Sequence, residues 1–116
     1  PKLSPDEVVA RIRQDIDQNY PQPLKVSSYA KKYFFTQEYL TRLFRQHYEM
    51  TIQEYLLMVR MTRAKELLEN PSIKIQEVAA RVGYSDNNYF SKAFRNFFGI
   101  TPTDCRNKCF VSRNTK

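Results

Sequence analysis

Residues 75–95 carry the pattern of two short helices separated by a glycine turn. Apolar side chains recur at helical spacing from Ile75 to Val82, and Gly83 follows directly. Glycine adopts the positive φ that a sharp turn requires. Ser85 belongs to the residue types that cap the start of a helix. The segment therefore predicts a helix-turn-helix unit, a supersecondary structure whose second helix can lie in the major groove of DNA.

The second helix of this unit, predicted over residues 86–97 and named the second reading helix, has two different faces. On a helical wheel at about 100° per residue, the apolar and aromatic residues gather on one side. The residues expected to face the core are Tyr89, Phe90, Ala93, Phe94 and Phe97. The opposite, outward side is polar, basic and rich in amides, with Asn88, Ser91, Lys92 and Arg95.

A weaker copy of the unit lies upstream. Ala30 aligns with Ala79 at an offset of 49 residues and Phe44 with Phe94 at an offset of 50, so the two turns differ by one residue. In the copy, residues 37–47 form the first reading helix. Its inward residues are expected to be Tyr39, Leu40, Leu43 and Phe44, and its outward residues Glu38, Thr41, Arg42 and Arg45. Each reading helix thus carries two basic residues three positions apart on its outward side.

The periodicity of the whole chain predicts an all-α fold of about seven helices with no strand. The first helix is expected from about Pro5 to Asn19, capped by Ser4 and with a buried stripe of aliphatic residues. That stripe consists of Val8, Val9, Ile12 and Ile16. The predicted boundaries are 1–51 for the first helix-turn-helix subdomain, 52–70 for a linking helix, 71–109 for the second subdomain and 110–116 for a disordered tail.

The linking helix has an unusual distribution of apolar residues. One stripe lies early in the helix, with Ile52, Tyr55, Leu56 and Val59, and another lies later, with Leu57, Met61, Ala64 and Leu68. The stripes are rotated by roughly 150° from each other, as expected of a helix shared by two subdomains. A helix of about 18 residues spans roughly 27 Å, comparable with the ~34 Å between successive major grooves of B-DNA. The two reading helices are therefore expected to meet adjacent grooves.

The chain of 116 residues is basic, with 19 Lys and Arg against 12 Asp and Glu, a net charge of +7. Such a balance suits a polyanionic partner, although a solvated surface explains it equally well. The location of the positive charge favours a polyanionic partner, because the excess of basic residues over residues 84–116 falls beside the second reading helix. The length fits one compact domain or two small lobes that share a core.

No sequence feature supports a membrane protein, a metalloprotein or an enzyme. The chain has no apolar run near the length of a membrane span. Cys105 and Cys109 lie one helical turn apart and are expected to be reduced thiols in a cytoplasmic protein. His47 alone cannot complete a zinc site and is expected to be a partly buried structural residue. No cofactor or metal is expected, and the start at Pro1 without methionine suggests a piece of a longer chain.

A set of residues with characteristic spacing runs through both units and the linking helix. The set comprises Ala30, Thr36, Leu40, Arg42-Leu43-Phe44, Tyr55, Arg60, Ala64, Leu67-Leu68, Val78-Ala79, Gly83-Tyr84-Ser85-Asp86, Tyr89-Phe90, Phe94, Phe98-Gly99-Ile100-Thr101-Pro102 and Arg106. In this combination the chain resembles the two-helix-turn-helix DNA-binding domain of the AraC/XylS family of bacterial transcription regulators. The resemblance implies a double-stranded DNA partner, an upstream sensing or receiver domain, and contact with RNA polymerase during activation.

The resemblance also implies which residues contact DNA. Base contacts fall to Glu38, Thr41 and Arg42 in the first reading helix and to Asn87, Asn88, Ser91 and Lys92 in or beside the second. Separately from the resemblance, we predict phosphate contacts at Thr36, Arg45, Ser85 and Arg95. Base contacts specify sequence, whereas phosphate contacts set register, affinity and salt dependence.

The chain departs from the family pattern mainly in the first unit. Phe34 and Glu49 stand where the family usually has glycine, so both turns place a side chain at positive φ. Either Phe34 or Phe35 is expected to be exposed, and Cys105 replaces a usual aromatic residue. The contacts of the second unit are expected to follow the family more closely. The alternative interpretation is a basic helical module that binds an acidic protein, which predicts no preference among DNA sequences.

Overall fold

The computed structural model describes residues 3–114, with side chains described for residues 3–108. Over that part of the chain the protein consists of seven α-helices and no strand, which confirms the all-α prediction. The helices are α1 (Pro5–Asn19), α2 (Val26–Tyr33), α3 (Gln37–Tyr48), α4 (Ile52–Leu68), α5 (Ile75–Arg81), α6 (Asn87–Phe98) and α7 (Pro102–Asn114). The chain divides within α4 into two compact units, the first ending at Val59 and the second beginning at Arg60.

The core of the first unit combines buried faces of α1 to α4. At the start of α1, the Ser4 hydroxyl accepts a hydrogen bond from the Glu7 backbone N–H (3.3 Å), as the capping pattern predicts. The buried aliphatic stripe of α1 is confirmed, with Val8, Val9, Ile12 and Ile16 all buried. These residues pack in one cluster with Leu40, Leu43 and Phe44 of α3 and with Ile52 and Tyr55 of α4.

Polar contacts attach α1 to its neighbours in the first unit. The Nε2 atom of His47 lies 2.9 Å from the Asp6 carboxylate, and its Nδ1 atom lies 3.0 Å from the Leu43 carbonyl oxygen. Because both partners are acceptors, the ring donates to both only when each nitrogen carries a proton. Arg13 donates to the Tyr55 hydroxyl (3.2 Å), which itself donates to Asp17 (2.6 Å). His47 therefore contributes to the packing of α3 against α1.

The second unit is organised around the buried faces of α5 and α6. Val78, Ala79, Phe90 and Phe94 are almost completely buried, together with Met61, Ala64 and Leu68 from the later stripe of α4. Arg106 of α7 donates to three backbone carbonyls that follow or end α4, those of Leu68 (3.0 Å), Asn70 (3.2 Å) and Ile73 (2.6 Å). These charge-assisted bonds hold the connection between α4 and α5 in place.

The helix boundaries follow the sequence prediction closely except at the C-terminus. α4 ends at Leu68 and α6 is displaced by one residue, both within the usual variation of helix ends. α7 continues to Asn114, so residues 110–114, expected to belong to a disordered tail, are helical. No proline or glycine follows Pro102 to end the helix. Residues 115 and 116, and the Cys109 side chain, lie outside the described part of the chain.

Both turns of the first unit place a non-glycine residue in the left-handed region, as the sequence predicts. Phe34 has φ 62° and ψ 38° at the end of α2, and Glu49 has φ 60° and ψ 22° at the end of α3. This conformation costs a residue with a Cβ roughly 1–2 kcal/mol. The Phe34 side chain is 89% exposed, so its own burial does little to offset that cost.

We therefore expect Phe34→Gly to stabilise the protein. The substitution removes the strained Cβ, and after the greater chain entropy of glycine is subtracted it should raise the free energy of unfolding by about 0.5–1 kcal/mol. Phe34→Ala, which keeps the Cβ, is the matched control and should give a much smaller gain. Urea denaturation measures both values, and equal gains for the two variants would show that the strained backbone is not responsible.

Candidate nucleic-acid interface

The first reading helix, α3, presents a polar face because its apolar face is fixed in the core. Leu40, Leu43 and Phe44 are buried. On the other side Glu38, Arg42 and Arg45 are exposed, and Thr41 is half-buried at the edge. An open depression on this face is lined by Gln37, Glu38, Thr41, Arg42 and Arg45. The structure therefore brings the four outward residues of α3 together on one surface.

Thr36 and Arg45 lie at opposite ends of α3. The Thr36 hydroxyl caps the helix by accepting a hydrogen bond from the Tyr39 backbone N–H (3.1 Å). The Arg45 guanidinium lies 3.8 Å from the Glu54 carboxylate. The pKa of Glu54 is lowered mainly by hydrogen bonds with the backbone and side chain of Thr51, and Arg45 makes a smaller contribution. Arg45 is thus weakly held and exposed, and it can turn towards another anion.

The second reading helix, α6, repeats this arrangement in the second unit. Phe90 and Phe94 are completely buried. Asn87, Asn88, Lys92 and Arg95 are exposed, whereas Ser91 is half-buried. The outward residues expected from the helical wheel therefore lie on the accessible side of α6, with Ser91 at its margin.

Two aromatic residues of α6 differ from the sequence-based expectation. The helical wheel predicts that Tyr89 and Phe97 face the core, but they are 65% and 40% exposed. Both lie on the flanks of the apolar face, where a helical wheel cannot distinguish a covered side chain from an uncovered one. The Tyr89 ring instead lies beside the ring of Tyr84, with 5.8 Å between centroids.

The cap of α6 also differs from the prediction. Asp86, and not Ser85, is the N-cap, because its carboxylate accepts hydrogen bonds from the backbone N–H groups of Asn88 (2.8 Å) and Tyr89 (3.3 Å). A carboxylate also interacts favourably with the positive end of the helix dipole. Ser85 remains exposed just before the helix. The offset of 50 that relates α3 to α6 pairs Thr36 with Asp86, and this signal could have identified the cap.

The turns of the two units share one hydrogen-bond pattern. The Phe35 N–H donates to the Ala30 carbonyl (3.0 Å), and the Tyr84 N–H donates to the Ala79 carbonyl (2.8 Å). Phe34 and Gly83 both have positive φ. The extra residue of the second unit follows this shared turn and precedes the cap. The reading helices themselves are the same length, twelve residues each.

Comparison with known proteins agrees with this geometry. The model of a helix-turn-helix domain family matches residues 29–108. The chain is 42% identical over 98 residues to the Msm operon regulatory protein of Streptococcus mutans, covering 84% of this chain and 35% of that protein. It is also similar to the solved structure of an AraC-type DNA-binding transcriptional regulator from Chromobacterium violaceum (28% identity, TM-score 0.76, covering 90% of this chain and 93% of that chain). The chain belongs to the AraC/XylS family.

A third relative is the C-terminal domain of AraT, a response regulator from Geobacillus stearothermophilus. Its structure has a TM-score of 0.82 and 35% identity, covering 93% of this chain and 88% of that domain. The chain spans about a third of the length of the curated relatives that it matches. The similarity to AraC/XylS proteins therefore concerns one domain of those regulators.

Other kinds of site have little support in the described residues of this AraC/XylS domain. Within residues 3–108, no three His, Cys, Asp or Glu side chains are grouped so that they could hold a metal ion. Cys105 is buried in α7. No helix in the described part of the chain is long and apolar enough to cross a membrane.

Because Asp86 caps α6, substitutions at Asp86 and at Ser85 should change the free energy of unfolding by different amounts. Asp86→Ala should lower the free energy of unfolding by about 1 kcal/mol, because two N–H groups at the start of α6 lose their acceptor. Asp86→Asn, which keeps a capping side chain, should retain most of the stability. Ser85→Ala should change stability by less than about 0.5 kcal/mol. Chemical denaturation of the three variants measures the differences, and a larger loss for Ser85→Ala than for Asp86→Ala would restore Ser85 as the cap.

Proposed function

We propose that this chain is the sequence-specific DNA-binding output domain of a bacterial transcription regulator. The observation that carries the proposal is the repeated outward face of α3 and α6. In each helix an apolar side is buried, and a basic pair three residues apart is exposed, Arg42 with Arg45 and Lys92 with Arg95. An isolated basic helix face would be unremarkable, but its recurrence in both helix-turn-helix units of an AraC/XylS domain supports DNA as the partner.

Base recognition is assigned to outward residues in the first two turns of the two helices. Arg42 and Lys92 can donate to guanine O6 and N7, and Asn87 or Asn88 can pair with adenine. Glu38 can accept from cytosine N4, while Thr41 can contact a thymine methyl group. Thr41 and Ser91 are half-buried, so any base contact they make lies at the margin of the interface.

Phosphate contacts are assigned to Thr36, Ser85, Arg45 and Arg95, which lie at or near the ends of the reading helices. Such contacts place the protein on the duplex without specifying its sequence. The two helix starts differ in charge, since Thr36 is neutral and Asp86 is a carboxylate. A phosphate is therefore better accommodated beside the start of α3 than beside the start of α6.

The proposal for the complete regulator extends beyond this domain. We propose a cytoplasmic protein in which an upstream sensing or receiver domain controls DNA binding, and in which the bound protein contacts RNA polymerase during activation. The curated relatives are about three times as long as the region that they share with this domain, which leaves room for such a part. No catalytic step is assigned to the domain.

Selection of binding sites from a random DNA library with this chain, near physiological salt, tests the proposal. Insertion of both reading helices into adjacent major grooves should enrich two submotifs about one helical turn apart. One submotif would restrict base recognition to one helix. No enrichment would contradict sequence-specific binding and favour the alternative of a basic protein-interaction module.

Two substitutions on the outward face of α6 separate base contact from phosphate contact. Lys92→Ala should reduce the preference for the selected base at one position by about 1–3 kcal/mol. Arg95→Ala should weaken binding to all sequences similarly and reduce the slope of log K against log salt by about one. Fluorescence anisotropy with matched and single-mismatch duplexes measures both effects. Unchanged discrimination at every position in Lys92→Ala would remove that residue from base recognition.

A further inference from the structure

Tyr89 presents a large aromatic side chain on the accessible surface of α6. It is 65% exposed, whereas the neighbouring Phe90 is completely buried. Tyr89 lies in the first turn of the helix, directly after Asn88 and three residues before Lys92, and both of these are exposed. Residues three apart are neighbours on a helix surface. The Tyr89 side chain therefore borders the residues assigned to base recognition.

The Tyr89 ring is in contact with the ring of a second tyrosine, Tyr84. The rings of Tyr84 and Tyr89 are 5.8 Å apart and inclined by 37°. Tyr84 is half-buried, and the Arg60 guanidinium lies 5.5 Å from the centroid of its ring. Burial raises the pKa of the Tyr84 hydroxyl, and the nearby Arg60 opposes that change. An aromatic side chain held in this way loses little conformational entropy on binding a partner.

Because the cap of α6 is a carboxylate, a phosphate near the start of this helix has to be bound by a donor other than the capped backbone N–H groups. The Asp86 carboxylate accepts hydrogen bonds from the backbone N–H groups of Asn88 and Tyr89. Without this cap, the same N–H groups could donate to a phosphate. The carboxylate also repels a phosphate. The Tyr89 phenol is neutral, can donate a hydrogen bond, and is carried on a longer side chain than the capping carboxylate.

The equivalent residue of the first unit does not share these properties. An offset of 50 pairs Tyr39 of α3 with Tyr89 of α6. Tyr39 is half-buried, its ring lies 5.2 Å from that of Phe35, and the cap before it is the neutral Thr36. The exposed tyrosine beside an acidic cap is thus specific to the second unit.

We propose that the Tyr89 hydroxyl donates a hydrogen bond to a phosphate oxygen of the DNA backbone, next to the bases read by Asn88 and Lys92. This inference rests on the proposed DNA-binding function. Tyrosine is among the side chains that bind phosphates in protein–DNA complexes. Because the phenol is neutral, the contact adds affinity without releasing a counterion, so it leaves the salt dependence unchanged.

The test compares the conservative variant Tyr89→Phe with the matched control Tyr39→Phe in the full 116-residue chain. Binding is measured by fluorescence anisotropy to a selected duplex and to an unrelated duplex, at several salt concentrations. Tyr89→Phe should bind both duplexes about threefold to tenfold more weakly, the range expected for one hydrogen bond. Its salt slope should equal that of the unchanged protein, and Tyr39→Phe should bind normally.

Each contrary result identifies a different error. If the unchanged chain shows no preference for the selected duplex, the proposed function itself fails. If the chain binds with preference but Tyr89→Phe binds equally tightly, the hydroxyl contact is wrong. Loss of discrimination at one base pair would make Tyr89 a base contact, and an equal loss in Tyr39→Phe would refute the argument from exposure. Circular dichroism and thermal unfolding should be unchanged in Tyr89→Phe, and a large fall in stability would give the hydroxyl a role in folding instead.

Discussion

Burial of one face of each reading helix decides which residues can meet a partner. Phe44 in α3 and Phe90 and Phe94 in α6 are completely buried. Full burial of such a side chain is worth roughly 1.5–3 kcal/mol, so a rotation of either helix that exposed its aromatic residues would remove a large part of the stability of a small unit. The same packing that forms the two cores therefore fixes the direction of Arg42 and Lys92.

Apolar packing sets the orientation of the helices within each unit, and polar contacts between them stabilise it. In the first unit, His47 and Arg13 join α3 and α4 to α1. In the second, Arg106 donates to backbone carbonyls at the end of α4 and after it. The caps of the reading helices differ more. Thr36 and Asp86 both satisfy backbone N–H groups, but only Asp86 adds a negative charge beside the surface assigned to DNA. Two units with one architecture thus present different electrostatic environments at equivalent positions.

Much of this organisation can be predicted from the sequence because it follows from periodicity. Helical spacing places α1, α3, α4 and α6 to within about two residues, and the wheels identify the buried Leu40, Phe44, Phe90 and Phe94. Periodicity does not determine the flanking positions, since the exposure of Tyr89 and Phe97 depends on which neighbouring elements cover them. The choice between Ser85 and Asp86 as the cap depends on the exact length of the turn, which differs by one residue between the units. A single sequence does not specify either property directly.

Gly99 closes α6 with φ 81°, and a Cβ placed there would meet nothing within 4 Å. Glu49 occupies the corresponding place after α3 with a similar backbone. A Cβ atom therefore fits at the ends of both reading helices, and the backbone penalty of roughly 1–2 kcal/mol opposes it. A penalty of that kind can be offset by a stabilising change elsewhere in the protein. Each of the two turns can consequently accept a residue other than glycine independently of the other, while the helices that they follow keep their length of twelve residues.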